Sequence, residues 1–239
     1  MKSSICMTSY NGSKYIKEQI DSILSQIDNE DEIIICDDSS TDNTVEVINN
    51  IVDGRIKLFI NKNNIGVLNN YANCLSKASN ELIFLSDQDD IWNCDKVAKI
   101  KDKFNENPDV TLVLTNAMII DGENNIIQTS FLNLNNGKSN GVIRALENIV
   151  KNKYLGGAIA FKRSELRYIL PFVDRLPMHD MWIGILNDIY GKTYYIDEAL
   201  IQYRRHDSNV SPYKHKNILW RIQWRLNLIA CLIQAIVRK

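Results

Sequence analysis

Short apolar runs alternate with helix-periodic segments through the first hundred residues of this 239-residue chain. The alternation predicts an α/β fold, with a mostly parallel central sheet flanked by helices. Strands are predicted at Ile5–Met7, Glu32–Cys36, Ile56–Ile60 and Leu82–Leu85, and helices at Lys14–Gln26, Asn43–Val52, Val67–Ala78 and Asp95–Asn105. No Gly-x-Gly-x-x-Gly follows the first strand, which disfavours a nicotinamide-dependent dehydrogenase, and there is no Walker-type sequence.

The second half of the chain has a less regular pattern. Strands are predicted at Val110–Ile120, Ile126–Thr129, Tyr154–Phe161 and Lys192–Ile196, helices at Ile143–Val150 and Met181–Tyr190, and a mobile loop at Asn133–Asn140. Residues 213–239 are predicted to form a basic amphipathic helical tail, in which Arg221 and Arg225 accompany two tryptophans. Such a helix suits a membrane surface, and the alternative is a helix that packs on the domain or on a second subunit.

Composition and charge exclude several classes of protein. The net charge of −1 provides no overall basic field, so no nucleic-acid partner is expected. The five cysteines are scattered and odd in number, which favours reduced thiols in a cytosolic protein. The first residues lack a long apolar segment, and no run reaches about 18 apolar residues. We therefore expect neither a signal peptide nor a membrane-spanning helix.

Three acids, Asp87, Asp89 and Asp90, follow the fourth predicted strand within four positions. The carboxyl end of a strand is where open α/β sheets bind their ligands. Clustered carboxylates repel one another unless a cation lies among them, and Mg²⁺ and Mn²⁺ prefer oxygen ligands. In an extended segment Asp87 and Asp89 point to the same side, while Gln88 points away. The alternatives are an acidic surface turn and, for Asp90, an N-cap of the next helix.

Four segments together resemble the family 2 glycosyltransferases, over nearly the whole chain up to about Pro212. They are Thr8-Ser9-Tyr10-Asn11-Gly12, Ile35-Cys36-Asp37-Asp38-Ser39-Ser40-Thr41-Asp42, Ser86-Asp87-Gln88-Asp89-Asp90-Ile91-Trp92 and His179-Asp180-Met181-Trp182. The resemblance implies a GT-A fold over residues 1–212, with a Rossmann-like nucleotide-sugar-binding half at 1–92 and an acceptor half at 93–212. The third and fourth segments, with a later Tyr-Arg-x-His, are most similar to the bacterial rhamnosyltransferase branch.

The same resemblance implies a site for a nucleoside-diphosphate sugar. Its expected residues are Thr8, Tyr10, Asp38, Asn70, Asp87 and Gln88. A carboxylate is a suitable acceptor for the N3–H group of uracil or thymine. We expect Asp38 to make that contact, whereas Asp37 holds the turn that follows. The implied donor is dTDP-rhamnose, and UDP-galactose, UDP-glucose and their N-acetyl forms stay open.

A divalent cation, Mg²⁺ or Mn²⁺, is expected beside the diphosphate. The resemblance places Asp89 on the metal and Asp87 on the ribose or a metal-bound water. His206 is a candidate to complete the metal shell or to contact the diphosphate, and Arg204 or Arg205 is a candidate to bind phosphate. The alternative for His206 is a solvated loop residue.

Asp180 is the expected catalytic base, because the resemblance aligns it with the acid of the family's Glu-Asp or His-Asp pair. An inverting transfer needs a carboxylate that takes the proton of the acceptor hydroxyl. The alternative for Asp180 is an N-cap of the following helix. By resemblance Gly156 and Gly157 border the acceptor pocket, and Trp182 is either a platform for the acceptor sugar or a core residue.

The expected reaction is transfer of a sugar, with inversion, to a saccharide or a lipid-linked saccharide. Its expected setting is the cytoplasmic face of a bacterial membrane, in the synthesis of a surface polysaccharide. Two other classes of protein are alternatives. A nucleotidyltransferase would need a glycine-rich basic loop after the first strand, whereas Thr8–Ser13 has one glycine and no arginine. The second alternative is a non-catalytic glycan-binding relative of the glycosyltransferases.

Overall fold

A computed structural model describes residues 1–131, 141–207, 209 and 218–237 of the protein. The predicted loop Asn133–Asn140 lies outside the described residues, as do residues 213–217 and 238–239 of the predicted tail. The strands are β1 Ser3–Ser9, β2 Glu32–Asp37, β3 Ile56–Ile60, β4 Leu82–Ser86, β5 Ile91–Trp92, β6 Leu112–Ile120, β7 Ile126–Gln128, β8 Ile159–Lys162 and β9 Thr193–Arg204. The α-helices are α1 Ile16–Leu24, α2 Thr44–Asn49, α3 Val67–Ser76, α4 Lys96–Glu106, α5 Val142–Val150, α6 Leu166–Ile169, α7 His179–Tyr190 and α8 Ile218–Val237.

The described strands form one sheet, in the order β3-β2-β1-β4-β8-β6-β9-β5, with β7 beside β6. The first four strands pair in parallel, which confirms the arrangement predicted from the alternation. Every residue of β1, β2 and β4 is buried, because helices cover these central strands on both faces. Their short continuous apolar runs are the sequence signature of such strands.

The other strands make the sheet mixed. β8 runs antiparallel to both β4 and β6, whereas β6 and β9 are parallel. The strand predicted at Tyr154–Phe161 is wrong in its first half, where Gly156–Ala158 form a 3-10 turn. A side chain at Gly157 would lie 2.8 Å from both Asp90 and Ile201, so the chain turns there against other elements.

Two differences from the predicted strands concern β9 and β5. The strand predicted at Lys192–Ile196 instead runs over twelve residues, Thr193–Arg204, because it follows the whole length of β6. β5 was not predicted, and its two residues pair with the far part of β9. This long strand therefore carries the chain back to the end of the sheet where β4 finishes.

The hydrophobic core lies between the sheet and its helices. Ile16, Ile20 and Ile23 of α1 are fully buried, as the helical spacing predicts. All five cysteines are free thiols, and only Cys94 is exposed. In the part of the chain that the structure describes, no helix is long and apolar enough to cross a bilayer.

The tail forms the helix α8, as predicted, and packs beside α5. Leu228, Cys231 and Leu232 are its buried residues. The Nε atom of Arg225 donates a hydrogen bond of 3.0 Å to the carbonyl of Ile149, and Nη2 donates to the carbonyl of Val150. Arg225 thus caps the carboxyl end of α5 instead of extending into solvent.

Candidate active site

The carboxyl ends of β1, β2 and β4 lie level at one edge of the sheet, since Ser9 is opposite Asp37 and Met7 is opposite Ser86. A cavity of about 380 Å³ opens at this edge. Asp38, Asp89 and Asp180 all line the cavity, although they come from three distant parts of the chain. The fold therefore brings the predicted base-binding, metal-binding and catalytic carboxylates into one site.

Asp37 is a structural residue at the end of β2. Its Oδ2 accepts hydrogen bonds from the hydroxyls of Ser9 and Ser40, at 2.8 and 2.6 Å. Its Oδ1 accepts one from the backbone N–H of Ser40, at 2.8 Å. These contacts hold the turn after β2, in which Ser39 has a positive φ of 64°.

Asp38 has a second set of partners and lines the cavity. Its Oδ1 accepts hydrogen bonds from the side-chain amide of Asn61 and the backbone N–H of Ile65, both at 2.9 Å. Its Oδ2 accepts one from the backbone N–H of Gly66, at 2.9 Å. A carboxylate has about four lone-pair positions, so one position on Oδ2 is left for a ligand. Asp38 therefore both orders the loop before α3 and faces the cavity.

Gln88 ties the end of β4 to the end of β1. Its Oε1 accepts a hydrogen bond from the backbone N–H of Tyr10 at 2.9 Å, and its Nε2 donates one to the carbonyl of Tyr10 at 3.0 Å. The amide of Gln88 is therefore engaged with the protein, although the residue lines the cavity. The ring of Tyr10 is half-exposed beside it, and Thr8 completes this wall.

Asn70 lies at the foot of the same wall, on α3. Its Nδ2 donates a hydrogen bond to the carbonyl of Cys36 at 2.7 Å, and its Oδ1 accepts one from Asn61 at 2.9 Å. Only 1% of the residue is exposed. Asn70 thus reaches the cavity mainly as part of its packed wall.

Asp87 is held by a tyrosine that the sequence did not single out. The hydroxyl of Tyr71 donates a hydrogen bond of 2.7 Å to Oδ1 of Asp87. Burial raises the pKa of Asp87 to about 6, and the negative charge of Asp89 adds to the rise, whereas the Tyr71 bond opposes it. Bringing these two acids together costs free energy, which a bound cation would offset.

Asp89 lines the cavity and contacts His206, just beyond the ends of β4 and β9. Oδ2 of Asp89 is 2.8 Å from Nε2 of His206 and accepts a hydrogen bond from Asn209 at 3.2 Å. Two of the three residues predicted for the metal shell, which are 117 positions apart in the chain, are thus in contact, and the third, Asp87, lines the same cavity. Within residues 1–131, 141–207, 209 and 218–237, no cluster of three or more His, Cys, Asp or Glu side chains is arranged to hold a metal.

A carboxylate and an imidazole side by side fit a divalent cation that takes its other ligands from phosphate and water. Mg²⁺ in particular is bound in proteins by one or two carboxylates together with substrate phosphates and several waters. The donor set of Asp89 and His206 is therefore suited to a metal that is completed by the substrate. A site of this kind does not need three protein ligands.

Asp90 faces the interior and not the cavity. It is fully buried, its Oδ1 accepts a hydrogen bond of 3.0 Å from the backbone N–H of Arg204, and burial raises its pKa. The alternative that Asp90 caps the next helix is wrong, because α4 begins at Lys96 with Asp95 as its N-cap. The buried amine of Lys96 lies near this acid and donates to the carbonyl of Gly157.

Arg204 is also structural, so the expectation that it binds phosphate is wrong. Only 1% of the residue is exposed. Its Nε donates a hydrogen bond of 2.7 Å to the backbone carbonyl of Asp89, and its Nη2 is 2.7 Å from Glu18. Arg204 therefore fixes the backbone that carries Asp89, and it does so from the end of β9.

Asp180 lies in the first turn of α7 and lines the cavity. It is not the N-cap of this helix, because α7 begins at His179 and the N-cap is Met178. Burial raises the pKa of Asp180 to about 7, and the hydrogen bond from the Met181 N–H opposes the rise. A buried carboxylate with a pKa near neutrality is suited to accept a proton from a hydroxyl.

The three predicted acceptor residues occupy different places. Gly156 lines the cavity, whereas Gly157 is buried against Asp90 and Ile201. Trp182 is 1% exposed, and its indole N–H donates a hydrogen bond of 3.0 Å to the carbonyl of Ile169. Trp182 is thus a core residue in this structure, which agrees with the second of its two predicted roles.

Three residues that line the cavity, His179, Tyr203 and Asn209, were absent from the predicted set of site residues. Tyr71, which is buried behind the cavity and bonds Asp87, was absent as well. Asn209 and Tyr203 flank His206 in sequence, so their proximity to the metal residue was a usable signal. His179 directly precedes Asp180 and was visible in the His-Asp pair. Tyr71 carried no signal, because a tyrosine inside an apolar helical face usually indicates core.

Two solved structures share this fold. The chain is similar to Staphylococcus aureus TarS residues 1–349 in complex with UDP-GlcNAc, with a TM-score of 0.67 and 20% identity, covering 90% of this chain and 62% of that chain. It is also similar to the mannosyltransferase PcManGT from Pyrobaculum calidifontis in complex with GDP-Man and Mn²⁺, with a TM-score of 0.62 and 17% identity, covering 99% and 63%. These similarities confirm the predicted GT-A fold.

The sequence comparisons give the family. The model of Glycosyl transferase family 2 matches residues 4–169, and the chain belongs to this family of glycosyltransferases. The Escherichia coli protein WfgD, named a UDP-Glc:alpha-D-GlcNAc-diphosphoundecaprenol beta-1,3-glucosyltransferase, is 28% identical over 92% of this chain and 83% of its own length. WfaP of the same organism, which carries the same description, is 40% identical over 40% of this chain and 38% of its own. The nucleotidyltransferase interpretation is therefore set aside.

Proposed function

We propose that this glycosyltransferase moves a hexosyl group from a pyrimidine nucleoside-diphosphate sugar to a hydroxyl of a lipid-linked saccharide, with inversion. The observation that carries the proposal is the shared cavity of Asp38, Asp89 and Asp180. Such a transfer needs a carboxylate that binds the nucleobase, a pair of side chains that hold a cation beside the diphosphate, and a buried carboxylate that takes the acceptor proton.

UDP-glucose is the donor that we place first. Asp38 offers one unused lone pair toward the cavity, which suits the N3–H group of uracil, and the half-exposed ring of Tyr10 provides a face for stacking. The description of WfgD names UDP-Glc, and WfgD is similar to this chain over most of both lengths. Thymine presents the same N3–H group, so dTDP-rhamnose, which the motif resemblance implies, is the second donor to test.

Asp89 and His206 would hold Mg²⁺ or Mn²⁺ at the mouth of the cavity. When bound, the cation stabilises the negative charge that develops on the departing nucleoside diphosphate. Arg204 keeps the Asp89 backbone in place, and Tyr71 keeps the Asp87 side chain in place. A role for the cation is also supported by the Mn²⁺ named in the PcManGT complex.

Asp180 takes the proton of the acceptor hydroxyl in this scheme. The hydroxyl oxygen attacks the anomeric carbon on the face opposite the leaving phosphate, and the bond from that carbon to the phosphate oxygen breaks. The proton passes to the Asp180 carboxylate, which is buried, lines the cavity and has a pKa near neutrality. A single displacement from the face opposite the leaving group inverts the configuration at the anomeric carbon.

A donor panel tests the proposal. The chain is incubated with Mn²⁺, an α-D-GlcNAc-diphospholipid acceptor analogue chosen from the description of WfgD and, in turn, UDP-glucose, UDP-galactose, UDP-N-acetylglucosamine, dTDP-rhamnose or GDP-mannose, and the released nucleoside diphosphate is measured. We expect turnover with one pyrimidine donor and none with GDP-mannose. Turnover with GDP-mannose alone, or with no donor of the panel, would overturn the proposal.

We also propose that the chain works at the inner face of a bacterial membrane and contacts lipid through α5 and α8. Eight large aliphatic side chains of these two adjacent helices are between about a third and two-thirds exposed. They are Val142, Ile143, Leu146 and Val150 of α5, and Ile222, Leu226, Ile229 and Ile233 of α8. An exposed apolar surface of this extent marks a site of contact with lipid or protein. The lipid diphosphate named in the description of WfgD favours lipid.

Flotation with anionic vesicles tests this contact. The double variant Leu146→Glu with Leu226→Glu is expected to lose vesicle binding, whereas Ile127→Glu, an equally exposed residue on β7, is the matched control. If the double variant floats as well as the control does, the lipid contact is wrong. Loss of a dimer in the double variant without loss of flotation would assign the surface to a second copy of the chain.

A further inference from the structure

His179 is a buried imidazole at the cavity that has no hydrogen-bond partner in the described part of the chain. It is 6% exposed, begins α7 and lines the cavity. Both of its ring nitrogens lack a donor or acceptor within the described residues. Leaving a buried polar atom unpaired costs free energy, so an unpaired one beside a binding cavity indicates a partner that arrives with the ligand.

The orientation of this ring is set by stacking. The imidazole of His179 lies against the ring of Tyr71, with a centroid distance of 3.8 Å and an interplanar angle of 24°. Tyr71 is itself fixed, because its hydroxyl donates to Asp87 and contacts the carbonyl of Ser86 at 3.1 Å. The ring of His179 is thus held in place while its nitrogens stay available for a ligand.

Gly156 lies beside these nitrogens without covering them. A Cβ atom at Gly156 would lie 3.3 Å from Nε2 of His179, 3.6 Å from Oδ2 of Asp87 and 4.0 Å from the Cβ of Asp180. Because these atoms surround one backbone position, an imidazole nitrogen and a carboxylate oxygen lie near each other at the cavity wall. The absence of a side chain at Gly156 therefore leaves a small polar subsite between Asp87 and Asp180 uncovered.

We propose that this subsite binds one hydroxyl of the sugar being transferred, with Nε2 of His179 and Oδ2 of Asp87 as its two hydrogen-bond partners. The inference rests on the proposed function, and it names the residue that recognises the sugar. A hydroxyl can donate to the carboxylate and accept from the imidazole at the same time. The subsite lies between the metal-binding end of the cavity and the catalytic base, which is where the transferred sugar must sit.

The environment of His179 favours a hydroxyl over a phosphate. Burial lowers the pKa of His179 to about 3, so its ring is uncharged at neutral pH. An uncharged imidazole next to the carboxylate of Asp87 is poorly suited to a phosphate anion. It is well suited to a neutral polar group that needs both a donor and an acceptor.

The test compares the affinity for the donor sugar with the affinity for the bare nucleotide. Calorimetry with Mn²⁺ and without acceptor gives the dissociation constants of UDP-glucose and UDP, or of dTDP-rhamnose and dTDP if the panel selects that donor. His179→Phe keeps the stacking on Tyr71 but has no ring nitrogen, and Gly156→Ala places a methyl group in the subsite. Trp182→Phe, one turn further on α7, is the matched control for loss of packing.

We expect the ratio of the two dissociation constants, donor over bare nucleotide, to rise about tenfold in His179→Phe and Gly156→Ala, and to stay unchanged in Trp182→Phe. Affinity for the bare nucleotide should be similar in all four proteins, which also shows that they are folded. If wild type turns over but the ratio does not change in His179→Phe, the inference is overturned while the proposed function stands. If wild type uses no donor of the panel, both are overturned.

Discussion

The two halves of the molecule build the site by different means. In the first half, Thr8 lies near the end of β1, and Asp38 and Asp87 directly follow β2 and β4, so the parallel sheet itself places them at one edge. In the second half, Asp180 comes from the start of a helix and His206 from the end of a long strand. The first half thus provides the strand-end residues of the proposed nucleotide site, and the second half provides single residues that reach the same cavity.

The two halves are also bonded to each other at the acidic segment. His206 contacts the Asp89 side chain, while Arg204 holds the backbone of Asp89 and bonds Asp90. The proposed metal position therefore depends on the ends of both β4 and β9. If this comparison is correct, changes in the second half will affect chemistry, and changes in the first half will affect nucleotide affinity.

The largest expected effect is that of Asp180→Asn. Asparagine has nearly the same size but cannot take the acceptor proton, so turnover should fall by about 10²–10⁴-fold. Affinity for UDP, measured by calorimetry, should be unchanged, because Asp180 belongs to the acceptor side. Near-normal turnover in this variant would remove Asp180 from the mechanism.

Asp89→Ala should have the next largest effect, on metal-dependent binding. Calorimetry with and without Mn²⁺ should show that the cation strengthens UDP binding in wild type, and that at least about tenfold of this strengthening is lost in the variant. Asp21→Ala removes an exposed acid paired with Lys17 and serves as the control. Equal metal dependence in the two variants would show that Asp89 does not hold the cation.

The pH profile should sharpen the assignment of the base. Burial raises the pKa of Asp180 to about 7, and the base acts in its deprotonated form. The value of kcat/KM should therefore rise about tenfold per pH unit as the pH increases toward 7, and level off above it. The residual activity of Asp180→Asn should lack this rise of kcat/KM below pH 7. A wild-type profile that is flat below pH 7 would argue against Asp180 as the catalytic base.

Asp38→Asn is expected to have the smallest effect, on base selectivity. Asn offers an N–H where Asp38 accepts hydrogen bonds, so affinity for UDP relative to ADP should fall by a factor of about ten. Asp37→Asn is the matched neighbour, and it should lower the melting temperature without changing this ratio, because the Asp37 side chain bonds Ser9 and Ser40 in the turn after β2. If both variants change the ratio of UDP to ADP affinity equally, the assignment of the nucleobase contact to Asp38 is wrong.

Much of the site was predictable because its residues lie at strand ends. The continuous apolar runs of β1, β2 and β4 predict buried parallel strands. The acids that follow these strands must then lie at the same edge of the sheet. The bond from Tyr71 to Asp87 and the closeness of Gly156 to His179 were not predictable, since each depends on a neighbour far away in the chain. The same reason explains why the role of Arg204 was not predictable. Its basic side chain indicated a phosphate ligand, but in the structure it is buried against Glu18.

The sequence by itself determined the order of strands and helices in the first half, the family, and which acids stand at strand ends. Only the tertiary structure decided that Asp90 and Arg204 turn inward and that His206 reaches Asp89. It also decided that His179 lies at the cavity with no hydrogen-bond partner among the described residues. The physical reason is that periodicity and strand ends are local properties of a chain. Which polar group is satisfied by which neighbour depends on the packing of distant segments.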